Sequence, residues 1–186
     1  WTQIGGDGDN GSWADLTYEN VNSLTANGNT LYAGLGSTAG DAEVWSCDAS
    51  SGCTSWTKIG GDGINSGWTV NTYEEVNSMT YMGSNLYVGL GTTANDAEVW
   101  RWNGSSWTKI GGDNINSGWN TNIEAVYSLT NDGTNVYAGT GLTAGDADVW
   151  RWNGTAWAQI GGDTLNSSWA SSTYEYVFSM NHFGGN

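Results

Sequence analysis

Thirteen tryptophans recur at fixed intervals along the 186 residues, and no other feature constrains the fold as strongly. Trp1, Trp56, Trp107 and Trp157 each open a W-[TA]-[QK]-I-G-G-D segment, at spacings of 55, 51 and 50 residues. Trp13, Trp68, Trp119 and Trp169 follow at the same spacings. Trp45, Trp100 and Trp150 close an A-[ED]-V-W segment, with Trp102 and Trp152 two residues further on. Every tryptophan is thereby assigned to the repeat. A period of about 50 residues signals units that stack to bury a shared core.

Each unit reads as four short strands. In the copy around Trp100 they are Tyr73–Tyr81, Asn85–Gly91, Ala97–Trp102 and Trp107–Gly111. All are rich in β-branched or aromatic residues and bounded by Gly, Asn, Asp or Ser. Asn103-Gly104 and Asn153-Gly154 separate the third and fourth strands, and Asn-Gly is the strongest short hairpin signal. No segment sustains a 3.6-residue apolar period, so essentially no helix is expected. The expected fold is all-β, with β-propeller blades of four antiparallel strands in ~50-residue repeats.

The chain then divides into residues 1–13 (a fourth strand and its loop), three complete blades at 18–62, 73–113 and 123–163, and 174–186, the first strand of an incomplete blade. Three blades are too few to close a ring, since propellers typically have about 4–8. A single domain that self-associates, or a segment of a longer propeller, is therefore expected. The small residues of the second strands, Ala33-Gly34, Val88-Gly89 and Ala138-Gly139, suit the crowded region near a propeller axis. The tryptophans belong between blades, as core.

Charge and cysteine usage narrow the setting. Four Lys plus Arg against nineteen Asp plus Glu give a net charge of −15, which argues against nucleic acid as a partner, because phosphates need cations. No apolar run is long enough to span a membrane. Cys47 and Cys53 flank an expanded turn, WSCDASSGCTSW, where other copies have WNGSSW and WNGTAW. A disulfide across that turn is expected, and with it an oxidising compartment, secreted or at the cell surface.

Carboxylates are the one plentiful chemical group. The loop after each fourth strand carries Asp7, Asp62, Asp113 and Asp163, with Asn and Trp following: Asp62, Asn65 and Trp68; Asp113, Asn116 and Trp119; Asp163, Asn166 and Trp169. Such loops can bind hydroxyls and stack on a pyranose ring, so these nine residues are the candidate glycan sites. Asp7, Asp9 and Asn10 form the loop richest in hard oxygen donors and are the candidate calcium site. No cofactor is otherwise required.

A second acidic position precedes the third strands: Asp41, Asp96 and Asp146, followed by Glu43, Glu98 and Asp148. Alternate strand residues face one way, ~6.5–7 Å apart, within the range of an inverting glycosidase pair. Near-identical repetition counts against catalysis, which needs two carboxyl groups in different environments. Backbone capping by Asp96 and its equivalents is the simpler role. His182, the one histidine, forms no constellation.

At V-N-S-[LM]-T-x-x-G-x-x-L-Y-x-G-L-G the chain resembles bacterial propeller repeats of the sensor-regulator type. Its Trp-rich repeats also resemble tectonin and tachylectin-type lectin propellers. The resemblance implies a noncatalytic, lectin-like extracellular module that binds glycan multivalently. The alternatives are a structural or protein-interaction segment of a bacterial surface protein and, third, a carboxylate-based glycan-active enzyme.

Overall fold

A computed structural model describes residues 1–13, 20–68, 73–93, 95–119, 122–141, 145, 147–162, 164–169 and 173–183. Its strands form three four-stranded antiparallel sheets, each in simple chain order. The first holds β1 (Val21–Asn27), β2 (Thr30–Leu35), β3 (Val44–Asp48) and β4 (Trp56–Gly60). The second holds β5 (Val76–Met82), β6 (Asn85–Leu90), β7 (Glu98–Trp102) and β8 (Trp107–Gly111). The third holds β9 (Ala125–Asn131), β10 (Val136–Gly141), β11 (Val149–Trp152) and β12 (Trp157–Gly161). The fold is all-β, and each sheet is a propeller-like blade. Among the described residues, helix is confined to three-residue 3-10 turns at Asp9–Gly11, Ala49–Ser51, Ile64–Ser66 and Ile115–Ser117. Tyr18, Asp146 and Asp163 lie outside the described residues.

Two bulges recur in every blade. Between the first and second strands the register skips Asn22, Asn77 or Tyr127. The Asn22 and Asn77 amides then donate to the Gly36 and Gly91 carbonyls, satisfying groups that the bulge takes out of the ladder. Between the third and fourth strands the register skips Ile59, Ile110 or Ile160. The carbonyls of these isoleucines accept from the asparagines of the loops, and those of Ile59 and Ile110 also from a tryptophan of the next blade.

Blades join through their first strands: β1 lies against β5, and β5 against β9. Ser23 Oγ donates to the Val76 carbonyl, Ser78 Oγ to Val126 and Ser128 Oγ to Val177, at 3.0, 3.1 and 2.8 Å. Under each of these bonds lies a second-strand glycine. A Cβ on Gly89 would sit 2.6 Å from Ser78 Oγ and 2.7 Å from Val126 Cγ1. The crowding expected of the second strands is therefore real, but it is contact with the first strand of the following blade.

Three expected strands are corrected. The second blade's first strand begins at Val76 rather than Tyr73, because Tyr73 turns inward as a buried side chain instead of pairing. Residues 1–5 and 174–180 are not strands. Their chain runs as in the other copies, and Gly141 bridges Tyr176. A strand needs a ladder, and among the described residues neither segment has one.

Cys47 and Cys53 form the disulfide, with Cα atoms 5.1 Å apart. Cys47 pairs with Trp56 across the hairpin as Trp102 pairs with Trp107 and Trp152 with Trp157. The latter two pairs are tilted aromatic contacts, with centroids 5.3 and 5.5 Å apart. The disulfide thus covers Trp56 in the first blade where an indole does so elsewhere.

The Gly89 contact yields an expectation for the blade interface. Gly89→Val should lower stability by about 1–3 kcal/mol, the usual cost of overpacking a closed core. Urea denaturation measures it, and an unchanged midpoint would show that the blades are not in tight contact there.

Candidate functional site

The loop after each fourth strand is a rigid backbone device. Asp62, Gly63, Asn65 and Ser66 have φ of 48, 73, 55 and 63°. Asp113, Asn114, Asn116 and Ser117 repeat this with φ of 46, 61, 52 and 62°. Left-handed backbone is tolerated best by Gly, Asn and Asp, which accounts for much of the loop's composition without any ligand. The asparagines are held inward. Asn10, Asn65, Asn116 and Asn166 donate to the carbonyls of Ile4, Ile59, Ile110 and Ile160, at 2.9–3.0 Å.

The tryptophans of the loop are also committed. Trp68 and Trp119 are buried, and their Nε1 atoms donate to the Ala42 and Ala97 carbonyls, each at 2.7 Å. Each meets two neighbouring indoles edge to face, Trp68 with Trp100 and Trp107, and Trp119 with Trp150 and Trp157. Neither presents a ring face for sugar stacking. That expectation is corrected for these two rings: edge-to-face packing between blades takes the surface that stacking would need. Trp169 is half-buried and donates to the Ala147 carbonyl at 3.0 Å.

Asp62 is exposed and Asp113 half-buried, with oxygens 3.4 and 3.5 Å from the Lys58 and Lys109 ammonium groups. Asp7 and Asp9 are exposed. Among the described residues no cluster of three or more His, Cys, Asp or Glu side chains is placed to hold a metal ion.

The acidic residues before the third strands lie deeper. Asp41 and Asp96 are buried and accept from the Thr38 and Thr93 hydroxyls at 2.6 Å. Asp41 also takes the Thr38 backbone N–H at 3.3 Å, the capping role expected of this position. Burial pushes the Asp96 carboxyl up, partly countered by Thr93. Glu43 and Glu98 are almost fully enclosed. Glu98 accepts from Trp100 Nε1 at 2.6 Å, pairs with Lys109 and receives the Tyr73 hydroxyl. Glu43 accepts from Trp45 Nε1 at 2.8 Å and pairs with Lys58. Burial, then the hydrogen bond and negative charge of Glu98, push the Tyr73 phenol far up.

The third blade departs from this pattern at three linked positions. Asp148 stands for Glu98, Gln159 for Lys109 and Ile123 for Tyr73. Gln159 Nε2 donates to Asp148 Oδ1 at 2.7 Å. Trp150 Nε1, the equivalent of the donors on Trp45 and Trp100, is buried without a hydrogen-bond partner. It lines a cavity of about 440 Å³ with Asn114, Trp119, Asn122, Asp148 and Gln159. Sequence reasoning passed over this group. The signal was available, because Glu→Asp and Lys→Gln occur in the same repeat, but the strands had to be paired before the two positions could be seen as neighbours. Asn95, which replaces Gly40 and Gly145, is by contrast a backbone matter: its φ of 78° matches their 95°.

No protein-family model matches the chain, and no curated protein does. Solved structures similar to it include the computationally designed Ika4 protein, 12% identical, with a TM-score of 0.46 over 80% of this chain and 75% of that one. The GH74 xyloglucanase from Xanthomonas campestris is 15% identical, with a TM-score of 0.46 over 72% of this chain and 19% of the enzyme. The designed Ika8 protein is 10% identical, with a TM-score of 0.31 over 79% of this chain and 50% of that one. With TM-scores below 0.5, these likenesses do not bear on what the chain does.

The packing of the loop tryptophans gives a direct expectation. Trp119→Ala should destabilise the fold by about 3–5 kcal/mol, as loss of a buried indole does. Thermal unfolding followed by circular dichroism would show it. An unchanged melting temperature would return Trp119 to the list of surface ligand residues.

Proposed function

We propose that the chain is a noncatalytic recognition module of an extracellular or cell-surface protein, with glycan as its ligand class. The observation that carries this is the state of the carboxylates. In each fully described copy, both members of the repeated acidic pair are held by internal partners, Asp41 by Thr38 and Glu43 by Lys58 and Trp45, and likewise Asp96 and Glu98. Two carboxyl groups tied in this way are poorly suited to acid–base work, which needs one to gain and one to lose a proton at the substrate. The disulfide supports an oxidising compartment. Calcium is not needed for this role, although the exposed Asp7 and Asp9 would be its donors.

The lectin-like resemblance favours glycan, and the burial of Trp68 and Trp119 counts against stacking on those two rings. Glycan-array binding with the whole chain tests the reading. Retention of one class of glycan, undiminished by removing calcium, is the expected result. Hydrolysis of any arrayed glycan, or binding to none, would overturn it.

A second reading, as a protein-interaction segment, has its own observation. Val21 and Leu24 are 46% and 62% exposed, whereas Val76 and Val126 are fully buried and Met79 and Leu129 nearly so. In the second and third blades these positions are covered by the preceding blade. The complementary surface is a glycine-bearing second strand like that of Gly34 or Gly89, so the natural occupant is another blade of the same kind. Sedimentation should show concentration-dependent association of this chain, and Val21→Glu/Leu24→Lys should abolish it. A monomer at all concentrations would exclude self-association through this face.

A further inference from the structure

We infer that the third blade carries a docking groove for a β-hairpin of another polypeptide, patterned like the second and third strands of this chain's own blades. The groove lies at the opposite end of the row of blades from Val21 and Leu24. It thus adds a second and different surface to the protein-interaction reading above.

Residues 174–180 set the groove up. They take the place of a first strand and are held there by the contacts that hold β5 and β9. Ser128 Oγ donates to the Val177 carbonyl, as Ser23 and Ser78 do to those of Val76 and Val126. The Gly145 N–H donates to the Tyr174 carbonyl at 3.1 Å, as that of Gly40 does to Tyr73 at 3.2 Å. Gly141 bridges Tyr176 as Gly36 bridges Glu75. In the three blades, a first strand held in this way pairs with a second. Among the described residues, no ladder forms on residues 174–180. Unpaired backbone of this kind is a template for an added strand.

The sheet face beside it is bare as well. Val44 and Val99, on the third strands of the first two blades, are fully buried, whereas their equivalent Val149 is half-buried. Trp68 and Trp119 are 3% and 2% exposed, whereas Trp169 is half-buried. Tyr73 and Ile123 are buried, and Tyr174 is 53% exposed. Val149, Trp169, Tyr174 and Val177 line one open groove of about 580 Å³.

The other two junctions identify the occupant, because the groove continues an interface that the chain already builds twice. Leu86, Val88 and Leu90 of β6 are fully buried and share one core with Ala42, Val44 and Trp68 of the first blade. Trp100 of β7 meets Trp68 edge to face, with centroids 5.8 Å apart. At the next junction Val136 and Ala138 of β10 share a core with Ala97, Val99 and Trp119. Trp150 of β11 meets Trp119 in the same way, at 5.7 Å. The partner therefore needs a strand with apolar side chains at alternate positions, to pair beside residues 174–180 and cover Val149. A second strand, carrying an indole, would meet Trp169. The 186 residues have no such hairpin to spare: β2–β3, β6–β7 and β10–β11 each belong to a blade. A second folded copy is for the same reason not the occupant.

The test titrates a dye-labelled peptide of residues 85–102, which spans β6 and β7, with the whole chain and follows fluorescence anisotropy. Binding should saturate with a dissociation constant of about 10 μM. Backbone hydrogen exchange should slow about tenfold or more within residues 176–180, as new ladder bonds form, and stay unchanged in β1. A Leu86→Ser/Val88→Ser/Leu90→Ser peptide should bind about tenfold more weakly or worse, having lost its apolar face. So should a Val149→Lys chain, checked for folding by circular dichroism, because a charge would lie under the added strand. If that variant does not fold, the serine peptide decides. No rise in anisotropy at ~300 μM chain, about thirtyfold above such a constant, overturns the groove. Equal binding of the serine peptide does so too, as does protection that falls on β1. Protection of residues 176–180 by the chain alone would make a second copy the occupant, and would also overturn it. Self-association through Val21 and Leu24 without peptide binding leaves the reading above standing and removes this groove. Peptide binding by a chain that stays monomeric does the reverse.

Discussion

Each junction that leads into a blade is hung on one carbonyl, that of Ile4, Ile59 or Ile110. The bulge between third and fourth strands takes Ile59 out of the ladder, and its oxygen then accepts from Asn65 of its own loop and from Trp107 of the next blade. Ile110 receives Asn116 and Trp157 in the same way, and Ile4 receives Asn10 and Trp56. A carbonyl has two lone pairs, so each oxygen is fully used. One bond shapes the loop and the other fixes the next blade. Without the bulge the oxygen would be spent within the sheet, and successive blades would lack their polar link. The serine-to-valine bonds on the opposite edge of the sheet complete the clamp. Buried polar atoms thus set the angle at which apolar faces meet, a specificity that hydrophobic burial, being non-directional, does not supply.

The same clamp decides how much of the molecule its sequence discloses. The twelve strands of the three blades, the hairpin positions and the disulfide were legible because they rest on local chemistry: β-branched and aromatic runs, Asn-Gly turns, and two cysteines flanking one insertion. Most tryptophans were legible as core, since thirteen residues in register cannot all be surface specialisations; Trp1 is the exception, fully exposed at the start of the first segment. The Asp-Asn-Trp loop was ambiguous, because the residues that tolerate left-handed backbone are also those that bind hydroxyls and cations. Asn116 at φ 52° illustrates the overlap: its conformation and its bond to Ile110 explain it fully, yet its side chain is also one that a lectin would use. Only the placement of Trp119 beneath the neighbouring blade separates the two roles. The terminal segments misled for a different reason. Their sequence is that of strands, but strand structure belongs to a pair.

The Glu–Lys pairs show which repeated features the fold needs. Glu98 and Lys109 form a well-enclosed ion pair, and the cost of desolvating such charges can match or exceed their attraction. The third blade has neither charge in that form, yet its bulges and indole contacts coincide with those of the second. The ion pair is therefore not what holds the blade's geometry. Its clearest structural effect is to complete the hydrogen bonding of Trp45 and Trp100, and the third blade forgoes this at Trp150 while keeping the indole.

A repeat protein can change one copy without losing the others, because each unit touches only its neighbours. Changes that relieved the loss at Trp150 would be simple: a phenylalanine at that position, or a side chain large enough to fill the space. The chain has neither. It keeps the indole and places Ile123, Asp148 and Gln159 where the second blade has Tyr73, Glu98 and Lys109. The three changes are linked through one side chain, because Lys109 and Tyr73 both meet Glu98 in the second blade, and the shorter Asp148 meets Gln159 instead. The asymmetry between copies thus shows that this polar group can be exchanged inside a blade whose frame stays the same.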